Sequence, residues 1–284
     1  MQADSLDPAF FSALQWFGAN SPQNASVLTL WPDGSVVEGI ANRSVVTDSV
    51  GSQNSIEADA FAAWLLNSSA DSGFMTGTYA HKVGYLLVRN TWLSETGGIY
   101  TEANASNPTF TPTRESNYSY IQFTSFTESS NSTVADIQFS AQPASGTELV
   151  AYVYVPKNAS AQLRSTIVVY NSATGASEGT VPVGEVTFYN ASDGAFSQIP
   201  VSNVSADSSY TLFLNYSPIQ RAGSSINITG AYAFAPGLAN SNMFKALFLC
   251  NTAVCELDNG AETFQPVYEN ADTKIYKISY NSSA

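Results

Sequence analysis

The hydropathy pattern of this chain changes period twice, and that change limits the folds open to it. From Asn107 to about Ala235, apolar and polar residues alternate in "YIQFTSF", "VADIQFS", "ELVAYVYV", "RSTIVVY", "GEVTFY", "YTLFLNY" and "INITGAYAFA". A strand points successive side chains to opposite faces, so a period of two describes half-buried antiparallel strands. Turn-rich clusters separate the runs roughly every 10 to 15 residues, and no helical period intervenes. Such a region closes as a β-sandwich or a barrel, and spacing does not choose between them.

The flanks follow another rule. Asp7-Pro8 has the form of a helix N-cap with proline in the first turn; Phe10, Leu14 and Phe17 then recur at helical spacing, and Gly18 and Asn20 mark the stop. Ser26 to Trp31 is apolar and β-branched enough for a buried strand, ending at Trp31-Pro32-Asp33-Gly34, which taken alone is a β-turn. Asn54 and Glu57 have the spacing of a capping box, opening a helix whose stripe is Phe61, Trp64 and Leu65. Gly84 to Val88 reads as a strand and Thr91 to Ala103 as a helix weakened by Gly97-Gly98, a pair suited to close backbone packing. Asn242 to Leu249 then reads as a short amphipathic helix, and Phe264 to Val267 and Lys274 to Tyr280 as strands. The fold class expected is an α/β (α+β) core, residues 1–106 and 240–284, interrupted by an inserted antiparallel β-sandwich or barrel domain, residues 107–239.

Charge narrows the partners. A net charge of −13 argues against nucleic acid, whose phosphates need a basic face. With only 12% of residues charged, solubility rests on Ser, Thr and Asn, which suits an extracellular protein in an acidic medium or one coated with sugar. Asn-x-Ser/Thr sequons occur at Asn24, Asn42, Asn67, Asn104, Asn117, Asn131, Asn158, Asn190, Asn203, Asn215, Asn227 and Asn281, which is 12 of 22 asparagines. The 62 Ser and Thr residues would produce about five by chance, so the excess points to a glycosylating compartment. Asn24, Asn67, Asn104, Asn117, Asn131, Asn158, Asn190, Asn203 and Asn227 are the candidate sites; the sequon of Asn215 is followed by Pro218. Cys250 and Cys255 bracket four residues and suit a short disulfide in an oxidising compartment, with paired thiols in a reducing one as the other reading. No run reaches the ~18 apolar residues of a membrane span, and Met1-Gln2-Ala3-Asp4 lacks the basic and apolar regions of a signal peptide.

No catalytic constellation stands out. There is no Gly-rich phosphate loop and no G-x-S-x-G elbow, and His81, the single histidine, has no evident nucleophile beside it. Two thiols and one histidine make no four-ligand zinc site without several carboxylates.

The stretch around Trp31 has a second reading. "FFSALQWFGANSPQNASVLTLWPDGSVVEGIANRSVVTDSVGSQN" resembles the start of the C-terminal globular domain in the catalytic subunit of oligosaccharyltransferase, especially its archaeal members. Trp16, Asn20-Ser21-Pro22, Val27 to Trp31, Asn42-Arg43-Ser44, Asp48 and Gln53-Asn54 follow the family order of helix, break, strand into Trp-Trp-Asp-Tyr-Gly, short helix and Asn-Arg-Thr segment. "GYLLVRNTWLSETGGIYTEA", "MFKALFL", "FQPVYEN" and "TKIYKIS" resemble the later strand, helix and closing strands, so the likeness spans roughly 1–106 and 240–281.

That resemblance implies a function carried by few residues. Alignment on Gly34 sets Leu30, Trp31, Pro32 and Asp33 against Trp, Trp, Asp and Tyr; one deletion instead sets Trp31, Pro32 and Asp33 against Trp-Trp-Asp and keeps the acid. Leu30, Trp31, Pro32 and Asp33 are thereby implied to bind the acceptor peptide, around the Ser or Thr two residues after the acceptor Asn. Pro32 in place of the second Trp removes an N–H donor and part of an apolar wall. Asn42 and Arg43 read as structural residues, with Arg43 a candidate partner for Asp48 or Asp33. The family's Asp-x-x-Lys-x-x-x-Met/Ile element is not found in this sequence. Its divalent metal (Mn or Mg) and lipid-linked oligosaccharide are held by a membrane-embedded half that lies outside this sequence. The resemblance therefore implies a fragment of a dolichyl-(di)phosphooligosaccharide-protein glycotransferase, tethered at the extracellular face by an N-terminal transmembrane region and inert alone. A non-catalytic, heavily N-glycosylated surface or adhesion protein is the alternative. A carbohydrate-binding module is a third reading, resting on the Tyr and Phe residues of the β region.

Overall fold

The structure, a computed structural model, describes residues 7–47, 55–68, 83–106, 118–130, 134–156, 162–190, 195–201, 209–218, 226–251, 254–259 and 261–280. The chain divides into two compact units, Met1–Glu115 with Asn240–Ala284, and Ser116–Ala239.

The first unit is built on a five-stranded sheet. In chain order its elements are α1 (Pro8–Asn20), β1 (Ser26–Leu28), α2 (Trp31–Ala41), β2 (Ser44–Val45), α3 (Ser55–Leu66), β3 (Tyr85–Arg89), a 3-10 helix (Asn90–Glu95) and α4 (Thr96–Ser106). The strand order is β13-β14-β3-β1-β2, with β13 (Glu262–Glu269) and β14 (Thr273–Tyr280) returning after the second unit. β1 pairs parallel with both β2 and β3, while β14 is antiparallel to β3 and β13 to β14. Parallel strands are covered on both faces, which is why "YLLV" of β3 is a continuous apolar run.

Helices cover the two faces. Phe10, Leu14 and Phe17 of α1 and Val37 and Ala41 of α2 pack with Val27, Tyr85, Leu87 and Ile275. On the other face Phe61 of α3 meets Trp92 edge-on, Trp64 stacks on Phe264, and the Tyr276 hydroxyl donates to the carbonyl of Ala246 in α6 (Asn242–Phe248). Asp7 caps α1 by accepting the N–H of Ala9, with Pro8 in the first turn. The capping-box residue Asn54 and His81 lie outside the described residues.

Glycine has a different place than its pairs suggest. A Cβ on Gly18 would lie 3.0 Å from the Ala41 carbonyl oxygen, so α1 and α2 close on each other there. A Cβ on Gly98 would meet nothing within 4 Å, so the Gly97-Gly98 pair does not serve close packing at that position. The pair sits inside α4, which extends three residues beyond the expected Ala103.

The second unit settles the choice between sandwich and barrel. Its strands are β4 (Tyr120–Phe123), β5 (Ser125–Ser130), β6 (Val134–Ala144), β7 (Thr147–Pro156), β8 (Arg164–Asn171), β9 (Ser177–Asn190), β10 (Phe196–Pro200), β11 (Tyr210–Pro218) and β12 (Ile226–Phe234), followed by α5 (Pro236–Ala239). They form one sheet in the order β4-β12-β11-β9-β8-β7-β6-β5, with β10 on β9. β4 and β5 are two halves of one bent strand: β4 pairs with β12 and β5 with β6, and Thr124 between them donates its N–H to Ser140 O at 3.0 Å. The sheet thus returns on itself as a nearly closed barrel, which removes the open edges of a sandwich. Phe139, Ala151, Val153, Ile167, Leu212 and Ala233 face the filled interior.

Candidate acceptor site

The Trp31 motif lies where the parallel sheet reverses its winding. From β1 the chain passes through α2 to β2 on one side, and then through α3 to β3 on the other side of β1. Such a switch point leaves a crevice beyond the carboxyl ends of the strands, a common place for ligands in open α/β sheets. α2 begins there, directly after β1, and β3 ends beside it at Arg89.

Trp31-Pro32-Asp33-Gly34 is the first turn of α2, not a free β-turn. Proline is tolerated in that turn because the N–H it lacks would have no helical partner, and an acid is favoured by the positive end of the helix dipole. Leu30 is the N-cap, extended and fully buried; Asp33 donates its backbone N–H to Leu30 O at 3.0 Å. Trp31 is half-buried, Pro32 exposed and Asp33 buried. The strand expected to run to Trp31 stops at Leu28, because the helix takes over the motif.

Asp33 is held by two residues that the sequence alone did not connect with it. Arg89 Nη1 reaches Asp33 Oδ1 at 2.8 Å, and the indole Nε1 of the fully buried Trp92 reaches Oδ2 at 3.0 Å. Arg89 also donates Nε to Asp272 Oδ2 at 2.8 Å, and its guanidinium carbon lies 3.9 Å from the centre of the Phe10 ring. Asp272, in the turn between β13 and β14, accepts as well from the Thr273 hydroxyl at 2.9 Å. The result is a carboxylate–guanidinium–carboxylate chain with one excess negative charge.

The electrostatics follow from that chain. Burial opposes the charge on Arg89, but its hydrogen bond to Asp272 and the charge of and hydrogen bond to Asp33 outweigh it and raise its pKa. Glu95, on the 3-10 helix, is held above the ordinary carboxyl value by partial burial first and the Asp33 charge second, with Arg89 offsetting part of this. An ionised carboxylate only accepts, with two lone pairs on each oxygen. Each Asp33 oxygen therefore has one donor in place and a second lone pair, and beside this buried acid Trp31 is half-buried and Pro32 exposed.

Arg43 does not join this site. It is buried and donates to the carbonyls of Gly18 at 2.6 Å, Ser21 at 2.8 Å, Ala41 at 3.1 Å and Asn42 at 2.9 Å, and to the Ser21 hydroxyl at 2.9 Å. Those carbonyls belong to the C-terminal ends of α1 and α2, so one guanidinium ties down two helix ends. Asp33 has Arg89 as its ion-pair partner, and Asp48 lies outside the described residues.

The remaining candidates disperse over the surface. Asn24, Asn67 and Asn104 are exposed, whereas Asn190 is buried at the end of β9 and unsuited to carrying a glycan in the folded chain. Asn117, Asn131, Asn158 and Asn203 lie outside the described residues, as does the side chain of Asn227. Cys250 and Cys255 form a disulfide. Among the described residues there is no group of three His, Cys, Asp or Glu side chains that could hold a metal ion. No described helix is long and apolar enough to cross a membrane.

No protein-family model matches the chain, and no curated protein does. Solved structures do. The C-terminal domain of PglB from C. jejuni is 11% identical with a TM-score of 0.46, over 94% of this chain and 98% of that one. The C-terminal globular domain of oligosaccharyltransferase from Pyrococcus abyssi is 14% identical with a TM-score of 0.49, over 95% of this chain and 50% of that chain. The chain is similar, at low sequence identity, to the C-terminal domain of PglB and to the C-terminal globular domain of an oligosaccharyltransferase.

Proposed function

We propose that this chain is the acceptor-recognition domain of an oligosaccharyltransferase, which moves a lipid-linked oligosaccharide onto the Asn of Asn-x-Ser/Thr. The observation that carries the reading is the position of Asp33: a carboxylate with unused lone pairs, fixed at the switch point of the sheet beside the exposed Trp31-Pro32 edge. The ordered run from Trp16 to Asn54 supports it, because those residues lead into and out of the same motif. In this role Asp33 accepts a hydrogen bond from the hydroxyl of the Ser or Thr two residues after the acceptor Asn, and Trp31 packs on that side chain. Arg89 and Trp92 orient the carboxylate. A site built around a hydroxyl discriminates strongly against a methyl in its place, since its own polar groups are then left unpaired.

The membrane half would supply the metal, Mn or Mg, and the lipid-linked sugar, and would tether this domain at the extracellular face. In the full-length enzyme, transfer to an Asn-Ala-Thr peptide is compared with transfer to an Asn-Ala-Val peptide. A preference of at least about 100-fold for Thr is expected; equal transfer to both excludes a hydroxyl-reading pocket.

One observation favours the second reading, a glycosylated surface or adhesion protein. Both Asp33 oxygens already have protein donors, which is what a purely structural acid requires. A full-length protein that transfers no glycan to either peptide would select it.

A further inference from the structure

The outer face of the barrel carries an aromatic surface that the acceptor-site reading does not use. On β7, Ala151 and Val153 are fully buried in the interior, so the alternate residues Tyr152 and Tyr154 face outward. Their rings are parallel to within 6°, with centres 6.4 Å apart. The Tyr152 hydroxyl lies 3.2 Å from that of Tyr170 on β8, which extends the group across a second strand. That hydrogen bond, then partial burial, pushes the Tyr152 pKa up to about 12, so its hydroxyl stays a neutral donor and acceptor.

Polar groups frame the rings in register. Gln138 and Thr166 stand directly opposite Tyr152 on the neighbouring strands, and Asp136 and Arg164 opposite Tyr154. Asp136 Oδ1 is buried and has no hydrogen-bond partner among the described residues. Asp136 as a residue is partly exposed, so a ligand on this face would meet its carboxylate at the other oxygen.

We propose that this face binds oligosaccharide. A pyranose ring presents a flat C–H face that lies on an aromatic ring, while its hydroxyls both donate and accept at the rim. Tyr152, Tyr154 and Tyr170 supply the faces. Asp136 accepts from a sugar hydroxyl, and Gln138 and Thr166 can do either. The residues opposite the rings are polar, Gln138 and Thr166 neutral and Asp136 and Arg164 charged, which suits a hydrated ligand better than an apolar protein surface.

The test uses the full chain produced without glycans, titrated with chitotriose and with mannotriose at millimolar concentrations and followed by calorimetry and backbone amide NMR. Saturable binding of at least one trisaccharide is expected, with shifts centred on β6, β7 and β8. Tyr152→Ala and Tyr154→Ala should each weaken it about tenfold, and Tyr154→Phe should retain it. If an alanine variant does not fold, the wild-type shift map and Asp136→Asn decide: shifts confined to other strands overturn the proposal. Binding of neither sugar overturns it, as does a double alanine variant that binds like wild type. An Asn-Ala-Thr peptide that shifts these tyrosines when neither sugar does would make the face a polypeptide surface instead. The outcome is independent of the acceptor-site reading, since Trp31 and Asp33 lie in the other unit.

Discussion

The indole of Trp92 donates to the Oδ2 of Asp33 at 3.0 Å, joining residues 59 positions apart. With Arg89 on the other oxygen, the acid of the Trp31 motif is fixed from both sides of the sheet. Arg89 reaches it over Phe10 of α1, and Trp92 from the layer that contains Phe61 of α3. Orientation and stability therefore depend on the same carboxylate.

That dependence separates two substitutions. Asp33→Ala leaves the buried Trp92 indole without its acceptor and the part-buried Arg89 guanidinium with Asp272 alone, and should destabilise the chain by about 3 kcal/mol. Asp33→Asn keeps one oxygen and should cost roughly half as much. Urea unfolding of both variants checks this; equal, negligible losses would mean that Asp33 is solvated.

Arg43 offers a purely structural comparison. It satisfies carbonyls at the ends of α1 and α2 that would otherwise be buried without donors. Arg43→Ala should cost about 2 to 4 kcal/mol. Lysine, lacking the planar fork, should recover only a part. Thermal unfolding measures both, and a lysine variant as stable as wild type would contradict the account.

A pH effect is expected from the contact of α3 with α4. Burial, then the hydrogen bond and charge of Asp59, hold the Glu102 carboxyl above its ordinary value. The folded chain thus keeps a proton that the unfolded chain has released. This stabilisation is fully present below the unfolded pKa of about 4.3 and is lost as pH rises through the raised folded value. Glu102→Gln, which cannot ionise, should gain relative to wild type between pH 4 and pH 7, by less than about 1 kcal/mol because the group is partly exposed. Urea midpoints at the two values test it.

The sequons should divide by burial. Peptide mapping by mass spectrometry of the natively produced protein should find glycan on Asn24 and Asn104, which are exposed, and none on Asn190, which is 7% exposed. Occupied Asn190 would show that this end of β9 opens before or during modification.

Much of the fold could be read from periodicity. "ELVAYVYV" is β7 because one face of the strand fills the barrel, and "PAFFSALQWF" is α1 because Phe10, Leu14 and Phe17 share a stripe. α2 could not be read in that way. Its Trp-Pro-Asp-Gly start has turn chemistry and its Ser35-Val36-Val37 continuation is β-branched, so only the tertiary setting selects the helix. β10, "FSQIP", was missed because it is short, half-polar and paired on β9 alone. The partners of Asp33 were hidden for another reason: Arg89 and Trp92 sit at the end of β3, and only the crossover that places β3 beside β1 brings them within reach. The sole hint was a charged residue closing an otherwise apolar strand.

The central claim is that Trp31 and Asp33 read the acceptor hydroxyl. The most direct measurement is glycan transfer to an Asn-Ala-Thr peptide by the full-length enzyme carrying Trp31→Ala or Asp33→Asn, each first shown to be folded. The account predicts a loss of 10-fold or more in either variant, about 1.4 kcal/mol or more of lost transition-state stabilisation. Undiminished transfer by both would contradict it and leave Asp33 a structural anchor that does not read the acceptor.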